Sequence, residues 1–263
     1  MKLGLLTSNH IRHKFLANEL NKKHELSIII SEEKGNQDQL VGRNDEENII
    51  LKKHFESLKI EQEIFFGKQQ WPKQVDVIRI DRGSINSTEV EIKLKENKIN
   101  GLAVFGPGIL KENIFSISPG NVINAHQGIS PYYRGSATNF WPFVNGELSY
   151  VGVTMHYIDK GIDTGDIICH GFPNIEKGDN MHRIGCKVVK ETAMLFVKIF
   201  NMIEIGNKPC GIKQWYKGRL YQRKDFSAQA VIKARENISG GLVDQFLKKK
   251  NKSIPNFQSI QLI

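Results

Sequence analysis

Short apolar runs alternate with helix-like stretches from the first residues onward, and this alternation narrows the possible folds more than any other feature of the chain. Residues 3–6 read as a buried strand, and Phe15, Leu16 and Leu20 follow on a helix-like stretch. Residues 26–30 form a second apolar run. Asn44-Asp45-Glu46-Glu47 then resembles a capping box ahead of Leu51, Phe55 and Leu58 at helical spacing. Strands are expected at 75–78 and 102–105, with a polar-faced helix over 87–97 between them. Parallel strands need crossover connections, and helices are the usual ones. The expected fold is therefore α/β, a Rossmann-like, mostly parallel sheet with helices on both faces.

Further strands are expected at 121–124, 151–157 and 166–172. Ile184, Val188, Thr192, Leu195, Ile199 and Met202 recur every three or four residues, so they line one face of a long helix that Gly206 can end. That helix closes an expected main domain, residues 1–205, and leaves 206–263 as a short C-terminal hairpin and helical appendage. The hairpin is read from Gln214-Trp215-Tyr216 and Leu220-Tyr221-Gln222 around Lys217-Gly218-Arg219. Lys248-Lys249-Lys250 reads as a solvated helix end or a frayed tail.

With 40% hydrophobic and 25% charged residues the chain can bury an ordinary core, which excludes a disordered or fibrous protein. The net charge of +9 favours anionic ligands, but it is spread too evenly to mark a nucleic-acid groove. Cys169, Cys186 and Cys210 form no close pair, so neither a disulfide framework nor a metal site is expected. The N-terminal apolar stretch turns polar at Ser8-Asn9-His10, before it reaches signal-peptide or membrane-spanning length. A cytoplasmic location without membrane contact is the default expectation.

Gly106-Pro107-Gly108 suggests a dinucleotide fingerprint, but Lys111 stands where the third glycine is required. No P-loop is present. The informative stretch starts at Asn124. If the strand at 121–124 continues briefly, Asn124 and His126 project to the same side at its carboxyl end, the edge where open α/β sheets bind ligands. An amide N–H and an imidazole there can converge on a developing oxyanion, and the imidazole can handle a proton near neutral pH. Residues 158–166 pack acids and glycines between two strands, and one of those carboxylates can orient His126 or relay a proton.

These residues together resemble the folate-dependent formyltransferases. Asn124-Ala125-His126 followed by Ser130-Pro131 and Arg134-Gly135 is similar to that family's Asn-x-His strand end and its following loop. Gly152-Val153-Thr154-Met155-His156, with Asp163-Thr164-Gly165-Asp166-Ile167-Ile168 beyond it, looks like the second signature. The resemblance covers roughly residues 75–205. It implies that Asn124, His126 and Asp163 are catalytic, Asp163 rather than Asp159 because it precedes Thr164-Gly165. It also implies that Phe105, Gly106, Gly108, Ile109 and Leu110 hold the folate pteridine, with Asp159 on the same cofactor side. The implied donor is 10-formyltetrahydrofolate and the implied acceptor a primary amine, with no metal role. On this resemblance Asn124 and the N–H of His126 stabilise the oxyanion, and Asp163 handles the amine's proton.

Acceptors differ within the family. Methionyl-tRNA formyltransferases carry a barrel domain after the core; here only about 58 residues follow Ile205, and tRNA is not expected. Glycinamide ribonucleotide formyltransferases place a glycine- and serine-rich phosphate loop after the first strand, where this chain has Ser8-Asn9-His10-Ile11-Arg12-His13. Formyltransferases acting on nucleotide-linked amino sugars fit the length best. Arg12, Arg134, Lys213, Arg219 and Arg223 are the candidates to face a diphosphate, and Trp215, Tyr216 and Tyr221 those to stack on a base. Glycinamide ribonucleotide transfer and a non-catalytic folate-fold binding protein are the alternatives. A homodimer is compatible with the sequence, which does not set the oligomeric state.

Overall fold

Side chains that point alternately to opposite faces build two cores, one on each side of a single sheet. The computed structural model describes residues 1–34, 42 and 44–249. In β1 (Leu3–Ser8), Leu3 and Leu5 enter one core and Leu6 the other; in β2 (Leu26–Glu32), Ile29 opposes Ile28 and Ile30. The same division separates Ala103 from Leu102 and Val104 in β4 (Gly101–Val104), and Ile123 from Val122 in β5 (Val122–His126). Strands covered on both faces read as continuous apolar runs, which is why they are visible in the sequence.

With β3 (Asp76–Ile80), β7 (Val153–Tyr157) and β8 (Ile167–Gly171), the sheet has seven strands in the order β3-β2-β1-β4-β5-β7-β8. The first five are mutually parallel, while β7 runs antiparallel to both β5 and β8. The chain leaves β1 towards β2 and returns to β4 on the other side. The loops after β1 and β4 therefore lead to opposite faces and leave a crevice between them, the usual ligand position in open α/β sheets.

One face is covered by α1 (Ile11–Asn21), α2 (Asp45–Phe66) and α6 (Met181–Glu204), the other by α3 (Thr88–Glu96) and the short α4 (Glu112–Phe115). Asn44 caps α2 by accepting the Glu47 N–H, as its motif predicts. In α6, Asn180 caps the first turn, and Ile184, Val188, Thr192, Phe196, Ile199 and Phe200 are buried. Each large aliphatic or aromatic side chain buried in this way contributes about 1.5–3 kcal/mol. The helix ends at Glu204, and Gly206 follows at φ +82°.

The expected hairpin is not formed. β9 (Arg219–Tyr221) pairs in parallel with β6 (Tyr133–Gly135), and no strand forms at 214–216. The physical reason lies at Gly218, where a Cβ would sit 2.0 Å from the Pro131 carbonyl oxygen. This glycine serves a close approach between backbones rather than a tight reversal. Elsewhere in the C-terminal part, Ile212 bridges to Ile167, and α7 (Ala228–Ser239) packs on α5 (Trp141–Asn145). There Asn237 donates to the Phe143 and Val144 carbonyls. The chain continues into α8 (Leu242–Lys249); Lys250, the last of the lysine run, lies outside the described residues.

Candidate active site

A cavity of about 1050 Å³ opens along the carboxyl ends of β1, β2, β4 and β5. Asn124, His126 and Asp163 line it, and so do Phe105, Gly106, Gly108, Ile109, Leu110 and Asp159. The nine residues expected to act in catalysis or on the folate thus line one cavity.

β5 runs through to His126, so Asn124 and His126 stand two positions apart on one strand. Asp163 lies on the loop between β7 and β8 and reaches across to them. Its Oδ1 is 3.3 Å from His126 Nδ1, and its Oδ2 accepts the Gly135 N–H at 3.2 Å. His126 Nε2 lies 2.9 Å from the Tyr133 carbonyl oxygen, so that nitrogen is the donor. Burial works against a charge on His126, but the Asp163 carboxylate and the Tyr133 carbonyl outweigh it and raise the imidazole above its ordinary pKa. Burial likewise opposes ionisation of Asp163, yet the charge and hydrogen bond of His126 hold the acid well below the usual carboxylate range. The two groups thus stabilise each other's charged forms, the imidazole as imidazolium and the acid as carboxylate.

This geometry corrects one part of the expected roles. Both ring nitrogens of His126 already face protein oxygens, the Tyr133 carbonyl and the Asp163 carboxylate, so neither is left as a free N–H towards the cavity. The N–H donor is Asn124, and a residue without an assigned role in the sequence orients it. His156 Nδ1 donates to the Tyr157 carbonyl at 2.8 Å, which leaves Nε2 to accept from Asn124 Nδ2 at 2.8 Å. One amide hydrogen is held in this way and the second remains for a ligand oxygen. Asn124 and His156 are direct partners in the β5–β7 register, a relation that appears only once the two strands are paired.

Asp163 adopts φ +51°, a left-handed conformation rare outside glycine. Gln214 fixes it from the C-terminal part, its Nε2 donating to the carbonyls of Asp163 and Gly165, and Arg134 adds a bond to the Ile162 carbonyl. Asp159 organises the start of the same loop, accepting from the Gly161 N–H and the Thr164 hydroxyl. Among the described residues no group of three or more His, Cys, Asp or Glu side chains is placed to hold a metal ion.

The loop after β4 is a backbone cradle. A Cβ on Gly106, at φ +77°, would meet His13 Cε1 at 2.9 Å, and Ile109 is left exposed. Bare backbone beside an exposed aliphatic chain suits a flat heterocycle, so the residues fit the folate group implied for this loop. The cavity is at the upper end of the size range for small-molecule pockets, enough for two reactants.

Basic and aromatic residues sort sharply. Arg12 and Arg223 line the cavity; Arg134, Lys213 and Arg219 do not. Arg219 is instead paired with Glu147 at 3.0 Å. Trp215 and Tyr216 are exposed, and Tyr221 stacks on Trp141 at 4.3 Å. The rings in the cavity wall include His54 and Phe55 of α2, with Phe140, His182 and Phe226. Lys34, which the sequence did not mark, joins Arg12 in the wall. Neither makes an ion pair or hydrogen bond among the described residues. Burial lowers Arg12 to about 10, which leaves it charged at neutral pH, and burial together with Arg12 lowers Lys34 to about 7.

An open, doubly wound α/β sheet with an Asn-x-His strand end and a facing aspartate defines a group-transfer class of fold and site. A family model described as formyl transferase matches residues 28–199, and the chain belongs to that family. Among curated relatives, the methionyl-tRNA formyltransferase of Desulforamulus reducens is 33% identical over 146 residues, covering 52% of this chain and 46% of that protein. The methionyl-tRNA formyltransferase of Clostridioides difficile is 38% identical over 108 residues, 38% of this chain and 32% of its own length. The matches thus span less than half of these relatives. Among solved structures, the formyltransferase PseJ from Anoxybacillus kamchatkensis, in complex with UDP-4,6-dideoxy-4-formamido-L-AltNAc and tetrahydrofolate, superposes with TM-score 0.52 at 20% identity, over 87% of this chain and 97% of that one. Phosphoribosylglycinamide formyltransferase from Anaplasma phagocytophilum gives TM-score 0.56 at 15% identity, over 85% and 98%. These likenesses establish the shared fold. No helix among the described residues is long and apolar enough to cross a membrane.

Proposed function

We propose that the protein transfers a formyl group from 10-formyltetrahydrofolate to the primary amine of a nucleotide-linked amino sugar. The observation that carries this reading is one cavity holding both the Asn124, His126 and Asp163 group and two cations, Arg12 and Lys34, that make no ion pair among the described residues. The folate co-substrate supplies the formyl carbon, and Phe105, Gly106, Gly108, Ile109 and Leu110 hold its ring. When the amine attacks, negative charge grows on the formyl oxygen; Asn124 meets it with the amide hydrogen that His156 leaves free, and the His126 imidazolium adds its charge. A well-placed donor of this kind is worth roughly 3–4 kcal/mol. Asp163 stays ionised, accepts a hydrogen bond from the attacking nitrogen or an intervening water, and guides its proton towards the departing folate nitrogen. No net proton is gained or lost. Arg12, Lys34 and Arg223 attract the acceptor's diphosphate, and Phe55, Phe140 and Phe226 pack against its base.

The curated relatives favour a second reading, methionyl-tRNA as acceptor. One assay separates the readings: release of tetrahydrofolate with a dTDP- or GDP-linked 4-amino-4,6-dideoxyhexose, glycinamide ribonucleotide and methionyl-tRNA in parallel. Fastest turnover is expected with the amino sugar. A faster rate on either other amine rejects the sugar while sparing formyl transfer, and no release with any acceptor rejects transfer itself. Asn124→Ala, His126→Ala and Asp163→Ala are each expected to lower turnover about 100-fold or more while tetrahydrofolate binding is retained.

A further inference from the structure

The last residue of β2 is a glutamate whose side chain is buried in the wall of the active-site cavity, where the formyl-transfer reading gives it no part. Glu32 is 5% exposed. Its Oε2 accepts the Gly108 N–H at 2.6 Å, and its Oε1 accepts the Gly83 N–H at 2.9 Å. One carboxylate thus ties the end of β2 to the turn after β3 and to the loop after β4. Burying a carboxylate is unfavourable unless its oxygens are met by donors, and here both are met by backbone amides of two loops that close the same cavity. A Cβ on Gly108 would stand 3.3 Å from Oε2, so any side chain there would have to displace the carboxylate by a few tenths of an ångström. On the far side of the same loop, Asn86 donates to the Ile109 carbonyl and accepts the Lys111 N–H. The loop is therefore gripped at 108 by Glu32 and at 109 and 111 by Asn86, while the flanking peptide groups stay available to a ligand.

We propose that Glu32 is a positioning residue for the folate co-substrate: its carboxylate sets the loop over residues 105–110 in its binding shape before the ligand arrives. The inference rests on the reading that this loop holds the folate. A ligand held by backbone groups needs those groups fixed in advance, because ordering a loop at the moment of binding subtracts from affinity. Glu32 has no contact with Asn124, His126 or Asp163 among its hydrogen bonds, so its loss acts on folate binding rather than on the transfer step.

The test uses the full chain with Glu32→Gln, which keeps the volume but turns one oxygen into a donor, and Glu32→Asp, which is too short to span both amides. Hydrogen exchange of the protein alone is expected to rise at residues 82–84 and 105–110 in both variants. The Kd for tetrahydrofolate is expected to rise about tenfold, in line with loss of a charge-assisted hydrogen bond. At saturating folate kcat is expected to stay within about threefold of the parent, and in Glu32→Asp, which keeps the negative charge that favours protonated Lys34, the KM for the amine is expected to be unchanged. Unchanged loop exchange, an unchanged Kd, or, in the charge-retaining Glu32→Asp, a KM for the amine that rises in step with the Kd would each overturn the proposal. Failure of the parent protein to bind tetrahydrofolate would overturn the underlying reading instead. Should Glu32→Gln fail to fold, Glu32→Asp carries the same comparison with the charge retained.

Discussion

His126 and Asp163 are each moved in the direction that keeps both charged, and the signs can be followed to an observable. His126 lies above its ordinary 6.5, so its stabilising contribution is complete below that value and is lost as pH rises through the folded pKa. Asp163 lies below its ordinary 3.8, so its contribution is present above that value and is lost only as pH falls through the lower folded pKa. The pair is therefore intact from the acid side up to the folded pKa of His126, which lies above 6.5. Turnover is expected to fall on the alkaline side, at a pKa above 6.5, as the imidazolium loses its proton. The acid limb belongs to protonation of the acceptor amine rather than to Asp163. In Asp163→Asn the alkaline limb moves to lower pH, because burial then acts on His126 without the carboxylate. A kcat profile over about pH 5 to 10 measures both limbs, and an unmoved alkaline limb in Asp163→Asn would refute the pairing.

Among the elements, the short parallel pair β6–β9 links the C-terminal part to the catalytic loop. β6 contains Gly135, whose N–H holds Asp163, and β9 lies against it because Gly218 lets the chain pass close to Pro131 and Tyr132. In Gly218→Ala the new methyl group meets backbone atoms at 2.0, 2.6 and 2.7 Å, and backbone cannot rotate away. A stability loss of about 1–3 kcal/mol is expected, read as a lower Tm, with a fall in kcat as β6 shifts. A Gly218→Ala protein with parental Tm and kcat would show that this contact does not hold the loop. The same pair marks what was legible in the sequence. The central strands were visible because each is a short continuous apolar run, and α6 because its buried face repeats every three or four residues. The Asn-x-His end and Asp163 were visible through their motifs. Gly218 was misread as a turn because a glycine needed for close approach looks the same in sequence as one needed for a reversal. His156, Gln214 and Glu32 act through strand register or through partners 32 to 76 residues away, relations that no local pattern encodes.

For the molecule as a whole, a net charge of +9 says little until the structure shows which cations are unpaired. Arg12, half-buried, and Lys34, exposed, stand together in the wall of the reactive cavity with no ion pair among the described residues. They repel one another, and an acceptor carrying a diphosphate relieves that repulsion. With Lys34 lowered to about 7, its charge is half present at neutral pH and fades as pH rises, so the KM for the amino-sugar nucleotide is expected to rise through that range. Lys34→Arg should flatten the rise, since a guanidinium keeps its proton. Lys34→Met should give a high KM at every pH, with the KM for folate unaffected. These effects are distinct from the His126 limb because they fall on the acceptor's KM and not on kcat. A KM for the acceptor that is flat with pH in the parent, and equal in Lys34→Met, would mean that Lys34 faces no anion. The affinity for the nucleotide sugar would then rest on Arg12, Arg223 and the aromatic wall alone.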